Sequence, residues 1–319
     1  MEANFTTENY NVFVIEPNGK QFYFPYILCV PKEIKDNTTL YVETNNEEDP
    51  KKLYTSEQRT VENCLNLMNG SVHKSPIFVP ILPTNGIDSK PYFQQLSVEC
   101  FDENLKVEQQ RIDLQLVHAI EDAKHKIFEL TGVRLDQKIF MHGYSASGVF
   151  AQRFALSHPE MIGGVCIGGA IGSIPMPIDE FNGINLDYPI GIHNYEEIFG
   201  RSFDFDSYKR IKFRYYVAEK EADRLSQTRF TENGSPAPMH DMSYMERSMP
   251  SQVGQSLRNA FGSTMAVRCS NQLKIYQELG IDISAHTPYK GIMHNEIKNM
   301  AYKYIDDCMC ECLNDREME

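Results

Sequence analysis

The sequence predicts an α/β fold in three layers: a mostly parallel sheet between helices, with an N-terminal antiparallel hairpin and a cap insertion. Three observations carry this. From Pro76 onward, short apolar runs without helical period alternate with segments of 3.6-residue period, as strands joined by crossover helices do. Near the N-terminus, two apolar runs flank Glu16-Pro17-Asn18-Gly19, which has the chemistry of a reversing turn. Finally, KIFMHGYSASGVFAQRFALS, from Lys138 to Ser157, passes from a short apolar strand through Gly143-Tyr144-Ser145-Ala146-Ser147-Gly148 into a helix.

In chain order, Val12 to Ile15 and Phe22 to Val30 form the hairpin, and Leu40 to Glu43 reads as the next strand. Asn45 to Lys52 is polar and makes a surface loop, followed by a short helix around Ser56 to Met68. PIFVPILP, Pro76 to Pro83, is a buried strand with a bulge or strand end at Pro80, since proline cannot donate to a ladder. It enters Thr84-Asn85-Gly86 at the carboxyl edge of the sheet, where open α/β sheets carry their sites. Ile112, Leu116, Ile120, Ala123, Ile127 and Leu130 keep a helical period up to Gly132, a C-cap. Strands follow over 161–167, 211–218 and 281–286. A helix marked by Met265, Cys269, Leu273 and Tyr276 stops at Gly280, and a final helix carries Ile297, Ala301, Tyr304, Cys308 and Cys312 on one face. Pro- and aromatic-rich residues 173–208 and Pro- and Met-rich residues 231–250 read as cap or lid insertions. The expectation is a single domain over residues 1–319.

Composition narrows the function. With 31 Lys+Arg against 44 Asp+Glu, the net charge of −13 disfavours nucleic acid and anionic membranes as partners. The N-terminus lacks the basic and apolar regions of a signal peptide, and no stretch approaches the length of a membrane span. A cytoplasmic protein with a small-molecule substrate is expected. The eight cysteines have no disulfide-framework spacing and read as buried thiols. Cys308, Cys310 and Cys312 lack zinc-knuckle spacing and fit core packing, so neither a metal nor a cofactor is expected. Gly168 to Gly172 lacks the G-x-G-x-x-G spacing of a dinucleotide site and is read as a place of close backbone packing.

A serine between a strand and a helix, flanked by small residues, has the form of a nucleophile elbow: the turn lifts the hydroxyl over the sheet edge, ahead of the helix amides. A serine hydroxyl needs a base, and the base needs a carboxylate to orient it. In the order serine, acid, histidine, the candidates are Ser145, then Glu221 or Asp223 after the strand that ends near Ala218, then His294 in Gly291-Ile292-Met293-His294-Asn295-Glu296. His142, inside the strand before the elbow, reads as a satisfied core residue, and His118, His125 and His158 lie in or at the ends of helices.

The segments FVPILPTNG, KIFMHGYSASGVFAQRFALSHPEMIGGVCIGG, FRYYVAEKEADR and PYKGIMHNE resemble successive signature blocks of the α/β-hydrolase superfamily, especially its bacterial esterase-like members. The resemblance covers most of the chain from Pro76 on. It implies Ser145 as nucleophile, His294 as base and Glu221 as acid, with Asp223 the alternative. It also implies an oxyanion hole made by the backbone N–H of Ala146 and one at Thr84. Two positions depart from the pattern: Ser147 stands where the second elbow glycine is usual, and Glu221 where relatives have Asp. The activity implied is serine hydrolysis of an ester, thioester or amide. The alternative is a catalytically silent protein of the same fold that binds a ligand or partner in the cleft.

Overall fold

The structure, a computed structural model, describes residues 2–45, 60–71, 74–83, 90–171, 174–217, 228–230, 236–238, 249–263, 265–286 and 301–314. Nine strands form one sheet: β1 (Phe5–Thr6), β2 (Tyr10–Ile15), β3 (Tyr26–Pro31), β4 (Leu40–Glu43), β5 (Ile77–Pro80), β6 (Ile139–Tyr144), β7 (Ile162–Gly168), β8 (Lys212–Tyr216) and β9 (Ile283–His286). Their order across the sheet is β1-β2-β3-β5-β4-β6-β7-β8-β9. The pairs from β1 to β5 through β2 and β3 are antiparallel, and every pair from β5 to β9 is parallel.

The inner strands β4 to β7 are buried along their whole length and mostly apolar, as strands covered on both faces are. One face carries α2 (Ile112–Thr131), α3 (Ala146–Ser157), α4 (Ser251–Phe261) and α5 (Met265–Glu278), and buries Leu28, Val42, Met141, Val165 and Phe213 with Leu116, Phe150, Leu257 and Tyr276. The other face carries α1 (Thr60–Gly70) and α6 (Tyr302–Asn314), and buries Tyr41, Phe140, Cys166 and Tyr216 with Met68, Ile305 and Met309. The sheet therefore separates two cores. Because β4 and β6 are neighbours while β5 lies beyond β4, strand succession reverses there, and open sheets place their ligand crevice at the carboxyl ends of such a pair.

Three local differences from the sequence expectation have physical causes. The link between β2 and β3 is no tight turn, because the register pairs Ile15 with Tyr26. The Asn18 side chain accepts from the amides of Lys20, Gln21 and Phe22, and the longer path delivers Phe22 and Phe24 to the core. Helix α4 is not evident from its sequence, which Ser, Gln and Gly fill, yet Val253, Leu257 and Phe261 recur at helical spacing and are buried. Within 231–250, Pro236–Pro238 pairs with Thr228–Phe230 as a two-stranded hairpin.

Residues 174–210 pack on the α2 and α3 side. Tyr188 donates to the Leu96 carbonyl, and Tyr195 and Arg201 both donate to the carbonyl of Ser157 at the end of α3. All eight cysteines are free thiols, seven of them buried. No helix among the described residues is long and apolar enough to cross a membrane.

Candidate active site

Ser145 follows the last residue of β6 and immediately precedes α3. Its backbone has φ 58° and ψ −120°, a region that L-residues avoid and occupy only when surrounding contacts over-determine it. Those contacts are identifiable. The Ser145 amide donates to Gly168 O at 2.8 Å, and its carbonyl accepts from Val149 N at 3.0 Å, starting the helix. The Thr44 hydroxyl, just past β4, lies 2.9 Å from His142 O and 3.0 Å from Ser147 O, bridging the two sides of the turn.

Ser147 closes the same turn from inside. Its Oγ donates to Tyr144 O at 2.9 Å and accepts from Tyr144 N at 3.0 Å. The hydroxyl thus fastens the strand end to the helix start, in a buried place. Of the glycines around it, Gly143 is a steric requirement and Gly148 sits in a tight place. A Cβ at Gly143 would overlap Ser147 O and the Thr44 hydroxyl, and one at Gly148 would lie 3.0 Å from the Ala170 Cβ and 3.1 Å from Gly168 O.

Gly168 belongs to the same construction. A side chain there would collide with the rings of Tyr216 and Tyr144, which stack 6.1 Å apart across it. Close packing, expected for Gly168 to Gly172, is the role Gly168 performs, while Gly172 lies outside the described residues. The amide of Ala146, the first residue of α3, lies ahead of the intrahelical ladder at the positive end of a twelve-residue helix, where negative charge is favoured.

Of the sequence-derived site residues, Ser145 and Ala146 are placed side by side at this turn. Thr84, Glu221, Asp223 and His294 lie outside the described residues. His142 is buried with both ring nitrogens partnered: Nδ1 is 2.6 Å from Glu43 Oε2, and Nε2 is 3.0 Å from the Tyr216 hydroxyl. Tyr41 donates to the same Glu43 oxygen at 2.7 Å. Burial, with the Glu43 charge adding to it, pushes the Tyr41 phenol well above its usual range, and burial does the same to Tyr216. Thr44, Glu43 and Tyr216 were not singled out from sequence. The available signal was a glutamate and a histidine on inward-facing positions of otherwise apolar strands.

At its far end α3 meets a second polar cluster. His158, its C-cap, has Nε2 3.0 Å from Asp113 Oδ2, and Arg111 pairs with the same carboxylate at 2.8 Å. Although burial opposes it, hydrogen bonds from His158 and Arg111 hold Asp113 down at about 2. Burial likewise opposes the charge on His158, but Asp113 and Glu160 raise it above the ordinary histidine value.

No protein-family model matches this sequence, and no curated protein matches it. Solved structures do match by shape. A thermostable esterase superposes with a TM-score of 0.50 at 13% identity, over 96% of this chain and 62% of its own. The chain has the α/β-hydrolase fold. This chain thus spans less than two thirds of that esterase's length. Two further structures with which this α/β-hydrolase-fold chain aligns are an S-formylglutathione hydrolase from Staphylococcus aureus and a ferulic acid esterase. The first gives a TM-score of 0.45 at 12% identity, over 93% of this chain and 98% of its own. The second gives 0.47 at 13%, over 94% and 98%.

Proposed function

We propose that this chain is a serine hydrolase that cleaves a carboxylic ester, or a thioester or amide, through an acyl-enzyme. The observation that supports it most is the backbone of Ser145, held at φ 58° and ψ −120° at the start of a buried helix. Strain of this kind costs roughly 1–3 kcal/mol and serves no packing purpose that a glycine would not serve better. It makes sense where a hydroxyl has to stand clear of the sheet.

In this reading His294 takes the proton of Ser145 Oγ as the oxygen attacks the substrate carbonyl, and Glu221, or alternatively Asp223, orients the imidazole and stabilises its charged form. The oxyanion accepts from the amides of Ala146 and Thr84. His294 then passes its proton to the leaving group as the acyl-enzyme forms, and water attacks by the same route in reverse, returning Ser145 to its free form. Residues 173–208 and 231–250 are the insertions proposed to shape the substrate pocket. Eight free thiols suit a reducing cytoplasm.

The test is labelling with a fluorophosphonate, read by intact mass, on wild type, Ser145→Ala and His294→Ala. Wild type should gain one adduct and Ser145→Ala none, with His294→Ala strongly slowed. Equal labelling of Ser145→Ala would refute the assignment. A wild type that stays unlabelled and hydrolyses no ester would point to the silent ligand-binding alternative.

A further inference from the structure

Below the sheet edge that carries Ser145, polar groups are joined where packing alone asks for none. Tyr41 and Glu43 on β4, His142 on β6 and Tyr216 at the end of β8 form a continuous hydrogen-bonded chain, with no member more than 4% exposed. It crosses β7 without using a β7 side chain. Tyr216 lies level with Gly168 in the register, and its ring passes over that glycine to stack on His142 at 6.0 Å with an interplanar angle of 4°. With Nδ1 2.6 Å from Glu43 Oε2 and Nε2 3.0 Å from the Tyr216 hydroxyl, the ring of His142 joins the two strands through both of its nitrogens.

Such a chain is a poor stabiliser. Desolvating a carboxylate and an imidazole costs about as much as their attraction returns, and apolar side chains of the same size usually serve stability as well or better. What the chain supplies is geometry. Glu43 directly precedes Thr44, which braces the elbow, His142 lies three residues before Ser145, and Tyr216 ends the strand that leads towards Glu221 and Asp223.

We infer that Glu43, His142 and Tyr216 are positioning residues for the hydrolytic site. They lock the strand that leads to the triad acid to the strand that presents the nucleophile, across the intervening glycine. The inference rests on the serine-hydrolase reading given above. The hydroxyl of Tyr216 is its critical link, because the ring can stay stacked over Gly168 when the hydroxyl is removed.

The experiment compares Tyr216→Phe and Glu43→Gln with a matched control, Tyr10→Phe. Tyr10 loses an equivalent buried phenol hydrogen bond, to Ser75 O, in the same core but at the end of β5 away from Thr84. Each variant is melted and assayed for kcat, KM and the pH dependence of kcat/KM on a responsive ester, with Ser145→Ala in parallel. Tyr216→Phe should lower kcat about tenfold with KM nearly unchanged, since small misplacements of catalytic groups act on the transition state. It should also move the acid limb of the kcat/KM profile down by about half a unit, because a carboxylate placed less well supports the charged base less. Glu43→Gln should do the same to a smaller extent, and Tyr10→Phe should melt lower without either kinetic change. If Tyr216→Phe and Tyr10→Phe both lose stability alone, the chain is packing and the inference fails, while the hydrolase reading stands. If Ser145→Ala retains turnover, the hydrolase reading fails and takes the inference with it.

Discussion

Restoring the customary glycine at position 147 should weaken this protein rather than improve it. The Ser147 hydroxyl makes two hydrogen bonds to the backbone of Tyr144, at 2.9 and 3.0 Å, in a site 2% exposed. Each is worth about 1 kcal/mol net. Ser147→Ala should therefore cost roughly 2 kcal/mol. Ser147→Gly should cost about 1 kcal/mol beyond that, for a glycine in a helix. The assay is urea unfolding followed by circular dichroism at neutral pH, with an unchanged m-value showing that the same surface is exposed on unfolding. If Ser147→Gly were as stable as wild type, the hydroxyl would not be fastening the elbow, and the account of how Ser145 is held in its strained backbone would have to be abandoned.

Gly168→Ala should destabilise by more than about 2 kcal/mol, because its methyl collides with two stacked rings that have no room to retreat, and the same urea titration measures it. The cluster around His158 gives a pH dependence of definite sign. Asp113 is held at about 2 in the folded chain, so the stability it lends is present above the ordinary aspartate range and is lost as pH falls through about 2. His158 is raised instead, so its contribution is full below the ordinary histidine value and disappears as pH rises through the raised one. Asp113→Asn should therefore flatten the acid side of a plot of unfolding free energy against pH, removing on the order of 2 kcal/mol of it, and should flatten the decline above the ordinary histidine value as well. A variant with the wild-type profile would show that the pair does not carry this linkage.

The parts of the fold that could be read from sequence were those in which local chemistry and tertiary demand agree. The strand, small-residue turn and helix of 139–157 announce themselves because β6 opens on the apolar run Ile139 to Met141 and the crowded turn admits only small side chains. The stop of α5 at Gly280 was legible for a similar reason, since its φ of 70° suits glycine. Helix α4 was not, because its apolar residues are spread thinly through polar ones and its burial depends on partners distant in sequence. The β2–β3 connection misled because Pro17-Asn18-Gly19 is turn chemistry used to begin a longer excursion. At the candidate site, Ser145 was readable and its supports were not. Thr44 reaches Ser147 from 103 residues away, and Glu43 reaches His142 from 99. No spacing rule connects residues that only the parallel pairing of β4 with β6 makes neighbours.

All twelve residues of α3 are buried. A helix with no wet side has no position at which substitutions can accumulate at little cost, since each exchange disturbs either the sheet beneath or the layer above. It is also tethered at both ends, by Thr44 and Ser147 where it begins and by Tyr195 and Arg201 where it finishes. Ser145 is thus mounted on the part of the molecule least free to drift.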